Sequence, residues 1–182
     1  MKTYKIVKDQ AKLRNPCAPC RSVEEGKRIG EILKVILERS QDAIGLAANQ
    51  IGINQRVCII NVKKPILLVN PRIVNKFDKF FYKEGCLSFP GDYVTTVRYK
   101  NIMVQADNHK KMLVFSSDTQ EDMLECACVQ HEIDHLDGLV MFDRAPSLAQ
   151  PKATDLLIKG IKNGKYLFQN ADEEKVIIIN MI

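Results

Sequence analysis

No apolar run in this 182-residue chain approaches the length a bilayer-spanning helix needs. The first ten residues, Met1 to Gln10, hold no apolar stretch of signal-peptide length. Asp9, with the lack of serine and arginine there, argues against a transit peptide. No Asn-x-Ser/Thr acceptor occurs, and no internal repeat, low-complexity segment or linker-like boundary interrupts the chain. Basic blocks are absent too: Lys63-Lys64, Lys110-Lys111, Lys162 and Lys165 are scattered, and the formal charge of +5 is mild. These absences exclude a membrane protein and specific nucleic-acid binding, and they favour the cytoplasm. Histidine is scarce as well, with only three residues.

What is present fits one ordinary globular domain over residues 1–182, with 46% hydrophobic and 27% charged residues. That is enough for a core without disulfide staples. The six cysteines are therefore read as free thiols in a reducing compartment, which leaves a thiolate available to a metal.

Ser22-Val-Glu-Glu25 is a capping box, and Ile29, Ile32, Leu33, Ile36 and Leu37 follow at helical spacing, so an amphipathic helix is predicted from Val23 to Arg39. Residues 41–52 read as irregular. Strands are predicted at Val57–Val62, Ile66–Val69, Tyr93–Val97, Ile102–Ala106 and Met112–Phe115, with Pro65, Pro71, Pro90, Gly91 and Asn108 as separators. Asp118-Thr-Gln-Glu121 opens another helix, running to Asp137 and stopping at Gly138. A weaker helix is predicted over Leu148–Lys162 and a strand over Val176–Ile182. Strands and helices are segregated, which makes the class α+β.

Residues 131–135 read His-Glu-Ile-Asp-His. On a helix, His131 and His135 share one face a turn apart and can bind one metal ion, with Glu132 beside it as a general base. The third ligand decides the reading. A metzincin protease would need a histidine where Met141 stands; a thermolysin-like one would need a downstream glutamate, for which Glu173 and Glu174 are the candidates. His109 lies in a turn. Cys86, in Glu84-Gly-Cys-Leu-Ser88, sits in a Gly-flanked bend that could aim a thiolate at a metal. A non-enzymatic zinc site using the other cysteines is a further alternative.

Gly45-Leu-Ala-Ala-Asn-Gln50, Glu84-Gly-Cys-Leu-Ser88 and Gln130-His-Glu-Ile-Asp-His135 resemble the three motifs of peptide deformylases in order and spacing. Leu13-Arg14, Pro19 and the first amphipathic helix also look like that family, so the resemblance covers residues 5 to 150. It implies mostly antiparallel sheets packed around a central metal-binding helix. It implies Cys86, His131 and His135 as ligands of one ferrous iron per chain, for which zinc or another divalent metal can substitute, with water as fourth ligand and nucleophile. Glu132 would be general base and then acid. Gln50 and the Leu87 N–H would bind the oxyanion, and Ile44 and Gly45 would offer backbone groups to the peptide. Leu124, Ala127 and Cys128 would line a methionine pocket. The implied reaction removes formyl from N-formylmethionyl nascent chains and releases formate, and transient ribosome contact is compatible with the mild charge.

The chain departs from the family pattern at Ala43, usually glycine, and at Asn49, often proline. Ala43 matters only if its backbone needs a positive φ. Asn49 is expected to loosen Gln50. Nothing is carried over for residues 151–182. Cys17 and Cys20 read as small core or surface thiols, and Glu84 and Arg98 as an ion pair bracing the Cys86 bend.

Overall fold

The computed structural model describes residues 4–40, 43–146, 168–170 and 173–177. Two three-stranded antiparallel sheets enclose one buried helix. A short helix α1 spans Gln10–Leu13, capped by the Asp9 carboxylate accepting from the Ala11 N–H at 3.0 Å. Helix α2 spans Val23–Glu38. Ser22 caps it through its hydroxyl, which accepts from Glu25 N–H, but the Glu25 carboxylate reaches back to the N–H of Arg21 rather than of Ser22.

Residues 45–51 are not irregular, contrary to the sequence reading: β1 covers Gly45–Ala47 and a 3-10 turn follows over Ala48–Ile51. Strands β2 (Val57–Asn61) and β3 (Pro65–Val69) complete the first sheet in the order β1-β2-β3. β2 is buried on both faces. Val57 and Ile59 pack with Ile29, Leu33 and Leu37 of α2, whereas Cys58 and Ile60 face the main core.

The second sheet corrects the sequence reading more sharply. β4 spans Arg72–Cys86, which had not been anticipated, and β5 runs unbroken over Phe89–Gln105. Pro90 and Gly91 thus lie within a strand instead of separating two. β6 (Leu113–Phe115) closes the order β4-β5-β6. Residues 74–79 of β4 are exposed on both faces, so the stretch carries no hydrophobic alternation to read.

Helix α3 (Gln120–Leu136) starts at Thr119, whose capping-box partner is Asp122, one residue later than anticipated. Every residue from Glu125 to Leu136 is buried. Cys126, Val129, Ile133 and Leu136 pack against Cys58, Ile60 and Leu68 of the first sheet and Ile102, Val104 and Phe115 of the second. Gly138 follows in the left-handed region at φ 75°; a side chain there would strike the Arg14 carbonyl, its Cβ falling 2.5 Å from that oxygen. A 3-10 turn covers Met141–Arg144, and β7 (Phe168–Asn170) pairs with β8 (Glu173–Ile177). The helix expected at Leu148–Lys162 and residues 178–182 of the expected last strand lie outside the described residues. Among the described residues no helix is long and apolar enough to cross a membrane.

Candidate active site

Helical spacing sets the first half of the site. The rings of His131 and His135 on α3 meet edge to face with centroids 4.8 Å apart. The second half comes from the tip of the β4–β5 hairpin. Cys86 ends β4 and pairs with Phe89, so Leu87 and Ser88 form a two-residue turn, and the register shifts between Gly85 and Cys86. Such a shift re-aims the side chain beyond it. The Cys86 sulfur lies 3.3 Å from His135 Nε2, and one donor atom from each of Cys86, His131 and His135 falls within 4.8 Å of the others. Among the described residues this is the three-donor group that forms. Cys17, Cys20, Cys58 and Cys126 are buried elsewhere as free thiols.

The donor set fits a divalent cation. His131 Nδ1 is 2.9 Å from Glu84 Oε2. A carboxylate only accepts, so Nδ1 carries a proton and Nε2 is left for a ligand. Burial and the neighbouring His131 and Arg98 cations hold His135 well below the usual histidine range, keeping it neutral. For His131 burial acts downward, but its contacts with Cys86 and Glu84 prevail and drive it well above that range. A cation entering the triangle therefore displaces a proton.

Glu84 is buried and saturated. Arg98 forks onto it at 2.5 and 2.8 Å, and Thr96 donates to it at 2.7 Å. Burial alone would raise its carboxyl, but the charge and hydrogen bonds of Arg98 outweigh that and hold it well below the carboxylate range. The expected Glu84–Arg98 pair is thus one link of a longer chain. Arg98 also donates to Asp134 at 2.5 Å, and Asp134 accepts from Arg144 at 2.5 and 2.9 Å.

Glu132 is the opposite case. Its Oε2 meets no hydrogen-bond partner, and burial pushes the carboxyl up to about 7. Gly45 makes room for it: an added Cβ would collide with Glu132 Oε1 and sit 2.7 Å from the Cys128 sulfur. Gln50 is oriented from behind, its Oε1 accepting from Ala47 N–H at 2.9 Å. Its Nε2 then points at the Cys86 sulfur (3.4 Å) and the Ser88 hydroxyl (3.3 Å).

These groups open into a cavity of about 490 Å³. Ile44, Gly45, Gln50, Cys86, Leu87, Leu124, Ala127, Cys128, His131 and Glu132 all line it; of the three candidate metal ligands only His135, which is buried, does not. Tyr82 and the run Phe89 to Tyr93 also line it and had escaped the sequence reading. The signal was there in part: Phe80, Tyr82 and Glu84 alternate as a strand facing α3. Ala43 lines the mouth without a positive φ, which removes the concern over its methyl.

The polypeptide deformylase family model matches residues 3–151. A peptide deformylase from Alkalilimnicola ehrlichii is 33% identical over 167 residues, covering 88% of this chain and 91% of that protein. One from Neisseria meningitidis is 34% identical over 158 residues, covering 84% and 92%. The crystal structure of peptide deformylase from Thermus thermophilus superimposes with a TM-score of 0.69 at 30% identity, covering 88% of this chain and 94% of that one.

Proposed function

The chain belongs to the polypeptide deformylase family, metal-dependent enzymes acting on N-formyl-Met peptides, and on that premise we propose that it removes the formyl group from N-formylmethionyl nascent polypeptides by hydrolysis, releasing formate. The observation that carries this reading is the unpaired Glu132 carboxylate, buried beside the Cys86-His131-His135 triangle at the floor of an apolar cavity.

Cys86, His131 and His135 would hold one ferrous ion per chain, with zinc or another divalent ion able to replace it, as Lewis acid toward the formyl carbonyl and source of a nucleophile near neutral pH. Glu132 takes the proton of the attacking water and hands it to the leaving amine. Burial raises this carboxyl, which favours its holding the proton it takes until the amine leaves. The Gln50 amide and the Leu87 N–H stabilise the oxyanion. Gln50 is preorganised for this, since its oxygen is already engaged by Ala47 and only its N–H₂ faces the site. Backbone groups of Ile44 and Gly45 align the peptide, and Leu124, Ala127 and Cys128 receive the methionine side chain. His131 is kept in register by Glu84 and, through it, by Arg98.

This assignment places the protein in the cytoplasm as a single catalytic domain, with transient ribosome contact at most and neither membrane nor specific nucleic acid as partner. The test is formate release from a formyl-Met peptide by anaerobically iron-loaded protein, beside the N-acetyl analogue. The formyl peptide should turn over and the acetyl peptide, whose methyl replaces the formyl hydrogen, should react poorly. Comparable rates on both, or internal peptide-bond cleavage, would sink the assignment. Cys86→Ala should lose its bound metal.

A further inference from the structure

We propose that Asn49 is a positioning residue: its side-chain amide ties the turn carrying Gln50 to the backbone of His135 and so sets the gap between the oxyanion donor and the metal-binding triangle. The inference rests on the roles assigned above to Gln50 and His135. The sequence suggested that asparagine, where the family often has proline, would loosen Gln50. The structure gives it the opposite task.

Asn49 is buried, 8% exposed. Its Nδ2 donates to the His135 carbonyl at 2.6 Å and reaches the Leu13 carbonyl at 3.5 Å. The orientation is fixed by its surroundings: flipping the amide would set Oδ1 against the His135 oxygen, two acceptors with no proton between them. The opposite end, Oδ1, meets no partner. The engaged end of this buried amide is therefore its donor.

That donor matters because of where α3 ends. The last carbonyls of a helix have no partner within it. Here Leu136 O is held from outside, accepting from Cys17 N–H at 2.9 Å and from Arg56 Nη1 at 3.2 Å, and His135 O, which the closing turn already engages through Gly138 N–H at 3.1 Å, accepts a further and shorter bond from Asn49. Of these links only that from Asn49 leads directly to another site residue, its chain neighbour Gln50. The 3-10 turn fixes Gln50 through Ala47, and Asn49 fixes the turn to the helix. A proline would stiffen the turn from within through its ring; this chain pins it across space.

The test uses the whole 182-residue chain with Asn49→Leu, which keeps the branching but has no donor, and Asn49→Asp, isosteric and acceptor-only. Two readouts are taken at a temperature chosen well below the melting midpoint of each variant: kcat and KM on a formyl-Met peptide, and the rate at which cobalt(II) bound in place of the native ion is lost to a chelator. Removing a partner bonded directly to a metal-binding side chain changes metal affinity or activity by about 10- to 100-fold, and Asn49, which acts through the His135 backbone, belongs at the lower end. Both variants should show kcat down by roughly tenfold with little change in KM, and cobalt loss faster by a similar factor. The melting midpoint is recorded alongside. A purely structural role would lower the midpoint and leave kcat and cobalt loss at native values, and that result overturns the proposal, as does movement of only one of the two. Should the native protein fail to deformylate, the functional reading falls, and cobalt loss alone decides the role of Asn49.

Discussion

Helix α3 and the β4–β5 hairpin each deliver a buried acid to the same site, Glu132 from the helix and Glu84 from the hairpin, in opposite surroundings. Glu84 is matched atom for atom by Thr96, Arg98 and His131. Glu132 has an oxygen with no partner at all. Burial acts upward on both carboxyls. In Glu84 the Arg98 cation overrides it; in Glu132 it prevails. An acid that is fully satisfied holds parts in place. One left unsatisfied in a cavity is available for proton transfer.

The sharpest way to break the comparison is to neutralise the unpaired acid. Glu132→Gln keeps the shape and the metal donors, so the protein should fold and retain metal while deformylation falls by about 10² to 10⁴-fold. Metal analysis with steady-state kinetics checks this, and near-native turnover would remove Glu132 from the chemistry.

The paired acid should fail differently. Arg98 is 2% exposed, and Arg98→Met takes its arginine partner from the buried Glu84, leaving it Thr96 and His131, while Asp134 keeps Arg144. Breaking a buried pair in this way costs about 3–5 kcal/mol. Urea unfolding should show a loss of that size, or no folded protein at all. A change under about 1 kcal/mol would mean that the network does not brace the site.

The same contrast explains what the sequence could and could not say. The helix half was legible because its information is local. His131, Glu132 and His135 follow from a four-residue spacing, and Gly138 marks the end. The hairpin half is non-local. Residues 74–79 are exposed on both faces, so β4 shows no alternation, and Pro90 and Gly91 look like breakers although they lie in β5. The cavity wall from Phe89 to Tyr93 was therefore missed, although Cys86 and Leu87 beside it were found by motif. Glu84 and Arg98 are opposite charges near the Cys86 bend, so the sequence could offer them as a pair but not show their contact. Their links to His131, Asp134 and Arg144 join three separate segments and leave no trace in local pattern. The bond from Asn49 to the His135 carbonyl was invisible for the same reason: its partner is on α3.

Acid titration should give the two carboxyls opposite signs in metal-free protein. The folded-state pKa of Glu132 is raised to about 7, so the folded protein holds a proton that the unfolded chain gives up. Its contribution is fully present below the ordinary carboxylate range and is lost as pH rises through about 7, a decline of about 3 kcal/mol. Glu84, held low, contributes stability that is present above that range and lost as the solution becomes strongly acidic. Melting curves of metal-free native and Glu132→Gln protein should therefore diverge between about pH 5 and 8, with the variant gaining relative to native as pH rises. A constant offset would mean that Glu132 is not desolvated in the folded state.

The smallest effect should come from the hairpin wall itself. Phe89 lines the cavity, and Phe142, from the turn after α3, meets it edge to face with centroids 5.1 Å apart. Phe142 is 39% exposed, so its loss leaves little cavity behind. An aromatic pair of this geometry is worth about 0.5–1.5 kcal/mol beyond area burial, equivalent to about two- to tenfold in an equilibrium constant. Phe142→Ala removes the prop behind Phe89 and touches neither the Cys86-His131-His135 triangle nor Glu132. KM for a formyl-Met peptide should rise within that two- to tenfold range, and kcat and metal retention should stay native. A fall in kcat at unchanged KM would show that the hairpin wall sets the reacting groups as well as the substrate, and would erase the division of labour drawn between the two walls.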